Sequence, residues 1–460
     1  MTVTLTPCQA RTLLDMSQPA SAITGSRAPR PVQLYYAMRR EGEMIEKLQR
    51  EHGDVFRIQF ERRPWNIVTH PDAIREVFTA SPEVLHAGEA NEILRPSLGS
   101  HSVLLLDEKP HMRQRKLLLP AFHGEKLRRQ RESMERVAVD QVERMPPDRP
   151  FSLRPHSQAI ALEVILDIVL GVDKGEEHDR VSEALLRLLD WLMTPAALGI
   201  SATFGPDSRI VKRMHAPVVG PVDEALYRLI RKRRTVADLD ERDDVLSMLL
   251  QAHDEDGTGM SDAELRDELV TLIVAGHETT ATALAWSFER LTRRPEQLAR
   301  LEAESRTDET TYAEAVTKEA LRLRPVLNNV VRVVKQPIEI AGYAFEPGDV
   351  VSPSIYLVHR RPELYPDPTE FSPERWLDTK PGTYSWIPFG GGTRRCIGAS
   401  FALTEMEVVL RAVARAVHLE PAGEPEKAVA RFITSSPSRG GEVRIGARLA
   451  EPAPVLVTAA

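Results

Sequence analysis

Two short stretches of this chain carry residue types at spacings that can do chemistry. The first is FGGGTRRCIG, residues 389–398, in which Cys396 stands between a triple-glycine turn and an apolar stripe. The stripe, Leu403, Met406, Leu410, Val413 and Val417, recurs at alternating steps of three and four. That period predicts one face of an amphipathic helix, stopped by Pro421. A cysteine just before a helix meets unpaired N–H groups and the positive end of the dipole, which favour a thiolate. Gly390, Gly391 and Gly392 let the backbone take positive φ and fold tightly over the sulfur. A lone thiolate held in this way can be a nucleophile or the single axial ligand of a haem iron; a plain buried cysteine is the bland alternative. The glycines are not followed by Gly-Lys-Ser/Thr, so they do not read as a phosphate loop.

The second stretch is AGHETT, residues 275–280. Ala275 and Thr279 are four apart and share a helix face. The Thr279 hydroxyl can compete for the Ala275 carbonyl, and Gly276 is a weak helix former beside it. Together they can loosen the ladder and leave a groove with room for water. Two charged pairs add to this. His111 and Arg115, four apart near a helix start, can aim cationic donors at one carboxylate pair, although Lys109, Arg113 and Lys116 around them also suit a solvated basic face. Glu319 and Arg322 are three apart, and an exposed pair of that kind contributes only a few tenths of a kcal/mol.

The elements that must position these residues are mostly helical. Ser261 and Glu264 form a capping-box signature for the longest pattern, which runs to Pro295 and, over about 34 residues, spans roughly 50 Å. Further helices are expected over 32–52, 71–80, 107–119 with Asp107 as N-cap, 124–145, 155–171, 178–194, 207–235, 243–253, 295–304 and 311–323. Strands are expected at 55–60 and 65–69, a hairpin around Arg62, Arg63 and Pro64, then between 330 and 352 and weakly at 430–434 and 443–447. Residues 83–101 read as a loop with one helical turn, and 362–395 as an ordered meander dense in Pro, Gly and aromatics.

The ten-residue cysteine stretch resembles the ligand loop of the haem-thiolate monooxygenases, the cytochrome P450 family, at Phe389, Gly392, Arg394, Cys396 and Gly398. The resemblance implies that Cys396 is the axial ligand of haem b, that Phe389 packs near its sulfur and that Arg394 meets a haem propionate. Thiolate ligation favours O–O cleavage. AGHETT is similar to the family's oxygen-binding groove at Ala275 and Gly276. There Thr279 would organise bound dioxygen and its water, and Glu278 would help supply protons. The family pattern adds Arg375 of FSPERW to Glu319 and Arg322 as a buried structural triad. It also places His111, Arg115 and Arg332 on propionates. By the same analogy the substrate pocket takes Ile93, Leu94, Leu98, Leu272, Val326 and Thr434, together with residues 192–206, and Asn328 and Asn329 fix one polar group of the substrate.

All of these motifs have to meet one cofactor. The expectation is therefore a single cytochrome P450 domain over residues 31–450, mainly α with a small β part and a long central helix over the haem. Residues 1–30 and 451–460 would be tails. Hydrophobic residues at 42% and charged residues at 28% fit a globular protein, and a net charge of −7 argues against a nucleic-acid binder. The two cysteines, Cys8 and Cys396, make no disulfide framework, which fits a reducing cytoplasm. There is no apolar run long enough for a membrane anchor and no secretory pattern at the N-terminus.

The expected activity is insertion of one atom of O2 into an apolar small molecule, a fatty acid, terpenoid or steroid, by a monomer. Hydroxylation is its simplest outcome. Electrons would come from a ferredoxin with its reductase, or a flavodoxin, docking on a basic face: residues 109–132 hold eight basic and two acidic side chains. Alternatives are a haem-thiolate peroxygenase or isomerase, relatives of which typically lack the acid–threonine pair present here, and a non-catalytic haem-binding protein.

Overall fold

The computed structural model describes residues 22–59, 63–122, 125–431 and 433–449. Cys8, the hairpin turn at 60–62 and the tail 451–460 lie outside the described residues.

Ser261 starts the helix around which the rest packs. Its hydroxyl accepts from Glu264 N at 3.2 Å, and the Glu264 carboxylate accepts from Ser261 N at 2.8 Å, so the expected capping box is present. The helix runs Asp262–Leu291, 30 residues and about 45 Å. It ends four residues short of Pro295, because Arg294, restricted by the following proline, takes φ −134° and ψ 79°. Pro295 instead opens the next helix, Pro295–Glu304. The central helix packs on Leu153–Val164 along one side and on Ala399–Ala416 along another. Its side chains are buried on most faces, and one large apolar cluster surrounds it.

The β part is small, as the sequence predicts. Strands β1 (Val55–Ile58), β2 (Trp65–Val68), β3 (Leu85–His86), β5 (Arg332–Val334) and β8 (Val350–Pro353) form one sheet in the order β1-β2-β8-β5-β3. Within it only β2 and β8 run parallel. β4 (Phe151–Ser152), β12 (Glu442–Arg448) and β9 (Val417–Pro421) make a second sheet; β6 (Ile338–Ile340) pairs with β7 (Tyr343–Phe345), and β10 (Ala428–Arg431) with β11 (Thr434–Pro437).

Several expectations are corrected. The first helical pattern splits into Arg30–Arg39 and Glu41–His52, because Arg40 leaves helical geometry at φ −151° and ψ 42°. Residues 22–29 are not tail: Arg57 N donates to Thr24 O at 2.9 Å and Ser26 N to Arg57 O at 3.0 Å, pinning them to β1. The segment 83–101 has its expected helical turn, at Arg95–Leu98, but also holds β3 and a 3-10 turn at Glu89–Leu94. A further helix, Pro195–Phe204, follows the Thr194 cap. The pattern at 155–171 continues from Leu153–Val164 into a π-turn at Ile165–Val169. The helix after Cys396 ends at Ala416, and Val417 starts β9, so Pro421 ends a strand.

Glu319 ties the helix Thr311–Leu323 to the meander beneath the cysteine loop. Its carboxylate accepts from Arg322 Nε and Nη2 at 2.8 Å, Arg375 Nε at 3.2 Å, Trp376 Nε1 at 2.9 Å and Ser372 N at 2.8 Å. Arg322 spends its remaining donors on the carbonyls of His359, Pro368 and Glu370. Glu319 and Arg322 are both fully buried, so this is an internal network and no surface pair. From Trp376 the edge-on rings of Trp386 and Phe389 follow at centroid separations of 6.0 and 6.2 Å, ending in the cysteine loop.

Removing one partner from a buried charge network is costly. Arg322→Met is expected to lower stability by about 3–5 kcal/mol in chemical unfolding followed by tryptophan fluorescence. The more peripheral Arg375→Met should cost about 1–2 kcal/mol. A value for Arg322→Met no larger than that for Arg375→Met would mean the network is dispensable.

A candidate thiolate cofactor site

The cysteine loop is built by close backbone contact. Gly390 and Gly392 take positive φ, 67° and 64°. Gly391 is extended, yet a Cβ there would strike the Phe78 ring at 2.2 Å, and one on Gly392 would meet Phe78 O at 2.0 Å. The loop thus lies directly on the helix Pro71–Thr79, as only glycines can. Cys396 N donates to Phe389 O at 2.9 Å, closing the turn. Gly398 caps the following helix, and no protein atom lies within 4 Å of a Cβ built there.

Cys396 is exposed to open space, and the protein packed around that space desolvates its thiol. Burial pushes the thiol above its ordinary pKa, opposed by the Gly398 N–H and by the Arg115 and Arg395 guanidiniums. The helix start therefore favours the thiolate, as its position predicts, but desolvation outweighs it. A positive centre on the sulfur would reverse that balance.

Three guanidiniums, Arg115, Arg332 and Arg394, and the imidazole of His111 gather by this loop. His111 is buried, and burial, then the Arg394 and Arg115 charges, hold its imidazole down to about 3. Burial and the Arg394 charge lower Arg332 to about 10, and Arg394 is lowered to about 10 by burial and Arg115. The first cause in each case is desolvation. Among the described residues the only carboxylate acting on His111, Arg332 and Arg394 is Asp107.

Asp107 does not cap its helix by a side-chain bond, contrary to expectation. Its carboxylate accepts from Ala87, Gly88 and Glu89 N at 2.9 Å and pairs with Arg394. Arg394 also donates to the carbonyls of Val103 and Leu106. Three guanidiniums and a neutral imidazole with one carboxylate among them, next to an open-faced cysteine, fit a flat cofactor bearing a thiolate-binding metal and two carboxylates. Haem has that chemistry.

The central helix passes through AGHETT without a break. The Thr279 hydroxyl donates to Ala275 O at 2.6 Å, the back-bond foreseen from the spacing. Ala275 is exposed in a helix otherwise mostly buried, so that face borders open space. A Cβ on Gly276 would only touch Ile165 Cδ1 at 3.7 Å. Glu278 turns to a different face. It is held by Arg154 Nη2 at 2.8 Å, Gln158 Nε2 at 2.9 Å and Thr282 Oγ1 at 3.2 Å. Neither Arg154 nor Gln158 was legible as a partner, since each lies at least 120 residues away in the chain.

Of the expected pocket residues, Leu94, Leu98, Leu272 and Val326 share one apolar cluster. Thr434 is buried near them, because Ser435 N donates to Val326 O at 2.7 Å. Ile93 is half-buried outside that cluster. Asn328 and Asn329 are otherwise engaged: both amides donate to Glu41, at 2.7 and 2.8 Å, in place of any substrate group. The loop carrying Leu98 is latched to the central helix. Arg266 donates to Leu98 O at 3.0 Å, Asp267 accepts from His101 N at 2.9 Å, Glu268 from Val103 N at 2.8 Å, and Thr271 donates to Ser102 Oγ at 2.7 Å. The basic surface expected around 109–132 is partly consumed. Arg113 pairs with Asp254 and Glu264, Lys116 with Glu255 and Arg131 with Glu407. The side chains of residues 123–129 lie outside the described set.

The family model described as Cytochrome P450 matches residues 32–441. The cytochrome P450 135B1 sequence of Mycobacterium tuberculosis is 38% identical over 436 residues, covering 92% of this chain and 91% of its own length. Cytochrome P450 135A1 of the same organism is 38% identical over 430 residues, 92% of this chain and 94% of its own. A solved structure described as retinoic acid bound cyanobacterial CYP120A1 shares the fold, with a TM-score of 0.79 at 23% identity, covering 94% of this chain and all of that one.

Proposed function

The chain belongs to the cytochrome P450 family, and on that premise we propose that it hydroxylates an apolar small molecule of fatty-acid, terpenoid or steroid type. Family membership makes it a haem-iron monooxygenase that needs O2 and a redox partner; the substrate class, the partner and the residue roles are the proposal. Its main support is the apolar character of Leu94, Leu98, Leu272 and Val326, which belong to the large core around the central helix, while the polar candidates Asn328 and Asn329 are already engaged by Glu41. A ligand buried there gives up water for hydrocarbon, about 25 cal/mol per Å² of apolar surface.

Cys396 is the proposed axial ligand of haem b, with His111, Arg115, Arg332 and Arg394 answering its two propionates. Bound haem supplies dioxygen activation, which an electron-rich thiolate favours. The chain's own residues then have three tasks. Arg115, Arg332 and Arg394, with the neutral His111, would hold the two propionates, whose negative charges would relieve the repulsion among the guanidiniums. Phe389 and Gly392 keep the cysteine turn rigid and its sulfur shielded. Thr279 places a hydroxyl on the open face of the central helix, where it can hold a water and pass a proton.

Glu278 has two readings. As a proton supplier it must release Arg154; as it stands, the ion pair at 2.8 Å also fits a structural anchor. Glu278→Gln separates them. Slower O2 consumption with normal stability supports proton supply, and lost stability with normal turnover supports the anchor.

The electron donor is proposed to be a small acidic carrier, a ferredoxin or flavodoxin, meeting exposed Arg395 beside the cysteine. Exposed-charge attraction fades as salt shortens the Debye length from about 10 Å at 0.1 M to about 3 Å at 1 M. Electron transfer should therefore slow with salt and with Arg395→Glu. Indifference to both would move the docking face elsewhere. Arg113, an internal strut, is not a useful site for such a test.

The reduced protein with carbon monoxide is expected to show the strongly red-shifted Soret band of thiolate ligation. A spectrum of histidine type would remove Cys396 from its role, and Cys8→Ser should change nothing.

Thr279→Ala should fold and take up haem normally, since Ala is the better helix former by several tenths of a kcal/mol. Its reducing equivalents should appear as hydrogen peroxide while product falls. Thr280→Ala, about 100° round the helix, is the control. Equal coupling in wild type and Thr279→Ala would rule out the proton-relay role.

A further inference from the structure

The helix Arg30–Arg39 is inside out. Its one buried residue is polar: Gln33 donates to Ala28 O at 2.7 Å and accepts from Gln59 N at 2.8 Å. Its large apolar residues face outward instead. Val32, Leu34, Tyr35, Tyr36 and Met38 are 40 to 59% exposed. A helix facing water normally does the reverse. The helix packs along β10, and the turn that follows β10 exposes Ile433 as well. Half of the ten large apolar side chains exposed among the described residues therefore sit on one ten-residue helix. Patches of this kind mark interaction surfaces.

The charge around the patch narrows the choice of partner. Between residues 22 and 40 there are four arginines, Arg27, Arg30, Arg39 and Arg40, and no acidic residue, in a chain whose net charge is −7. Arg40 pairs with Glu43 at 3.3 Å in the next helix, and the other three carry the main basic charge beside the patch. These arginines flank the helix at both ends. A second copy docking face to face would oppose like charges, because a two-fold interface sets each patch against itself. A layer with an apolar interior and an anionic rim fits both features at once. Tyrosines suit the boundary of such a layer, with rings in the hydrocarbon edge and hydroxyls among head groups.

We propose that the helix Arg30–Arg39 is an interfacial anchor that lays this protein on an anionic lipid bilayer, with Leu34, Tyr35 and Met38 entering the acyl boundary and the flanking arginines meeting lipid phosphates. Ten residues give about 15 Å of helix, too short to span a bilayer, and no helix among the described residues is long and apolar enough to cross one. The contact lies in the surface, where apolar burial and electrostatic attraction add. It stands independently of the substrate proposed above. The two connect through geometry only: Ile433 is the neighbour of Thr434, whose turn is tied to Val326, so the anchored face adjoins the apolar cluster.

The test is co-sedimentation of the haem-loaded protein with vesicles of mixed phosphatidylglycerol and phosphatidylcholine, against phosphatidylcholine alone. Wild type should bind the mixed vesicles, bind the neutral ones weakly, and be released by 1 M salt. The triple variant Leu34→Ser/Tyr35→Ser/Met38→Ser should bind at least about tenfold more weakly, since three apolar side chains no longer leave water. Arg27→Gln/Arg39→Gln/Arg40→Gln should bind neutral vesicles like wild type and mixed ones more weakly. All substituted side chains are exposed, so haem content and thermal unfolding should match wild type and certify folding. Failure of wild type to sediment with mixed vesicles overturns the proposal. So does equal binding by the apolar triple variant, or a concentration-dependent dimer in solution that the same variant abolishes.

Discussion

The carboxylate of Glu319 is the contact on which the cysteine loop depends. Two guanidiniums, an indole and a backbone amide converge on it in full burial, so no lone pair is left to water. Such a centre contributes little net stability against a well-packed apolar replacement, since its charges had to leave water. What it gives is position. Through Trp376, Trp386 and Phe389 it sets the height of the turn that carries Cys396, and through Arg322 it holds three carbonyls of the meander. The sulfur is thereby aimed by contacts made far from it.

A second constraint is electrostatic. Burial, and then the charges of Arg394, Arg115 and Arg332, keep His111 neutral; burial and neighbouring guanidiniums also lower Arg332 and Arg394, with Asp107 as the described carboxylate that opposes this. Folding such a group without a counter-charge costs stability, and on the proposed reading the two carboxylates of the cofactor would offset that cost. Cofactor binding and folding are therefore linked at this end of the site, as is usual where binding is confined to the native state. Asp107 carries a double load. It neutralises Arg394 and, through three backbone N–H groups, shapes the turn at Ala87–Glu89.

Much of this was legible in the sequence, for local reasons. The capping box at Ser261 and Glu264, the Thr279 back-bond and the glycine turn each depend on residues a few positions apart, where spacing fixes geometry. The fold class followed from helical periods of ordinary length. The misses share a cause too. Arg154 against Glu278, Glu41 against Asn328 and Asn329, and Asp107 against the Ala87 turn join residues distant in sequence, and no local pattern announces such partners. The break at Arg40 and the change from helix to strand at Val417 were hidden because an apolar stripe can continue while the backbone does not. The outward face of Arg30–Arg39 was hidden for the opposite reason: its residues look like a core, and only burial reveals that they are not in one.

The loop from Ser97 to Asp107 is fastened at both ends, to the central helix through Arg266, Asp267, Glu268 and Thr271, and to Arg394 through its carbonyls and Asp107. A strap held that way transmits force. Any molecule that wedges against Leu98 must stretch one fastening or the other, and the far one ends on a guanidinium whose charge is felt by His111 and Arg332. If Arg394 holds the cofactor as proposed, the strap would let the shape of an uncharged guest change the potential at the cofactor's edge. Linkage is reciprocal, so the charge state at that edge must alter how firmly the guest is held by an equal factor. An apolar molecule that touches no charged group can in this way tune the electrostatics of the centre that would oxidise it.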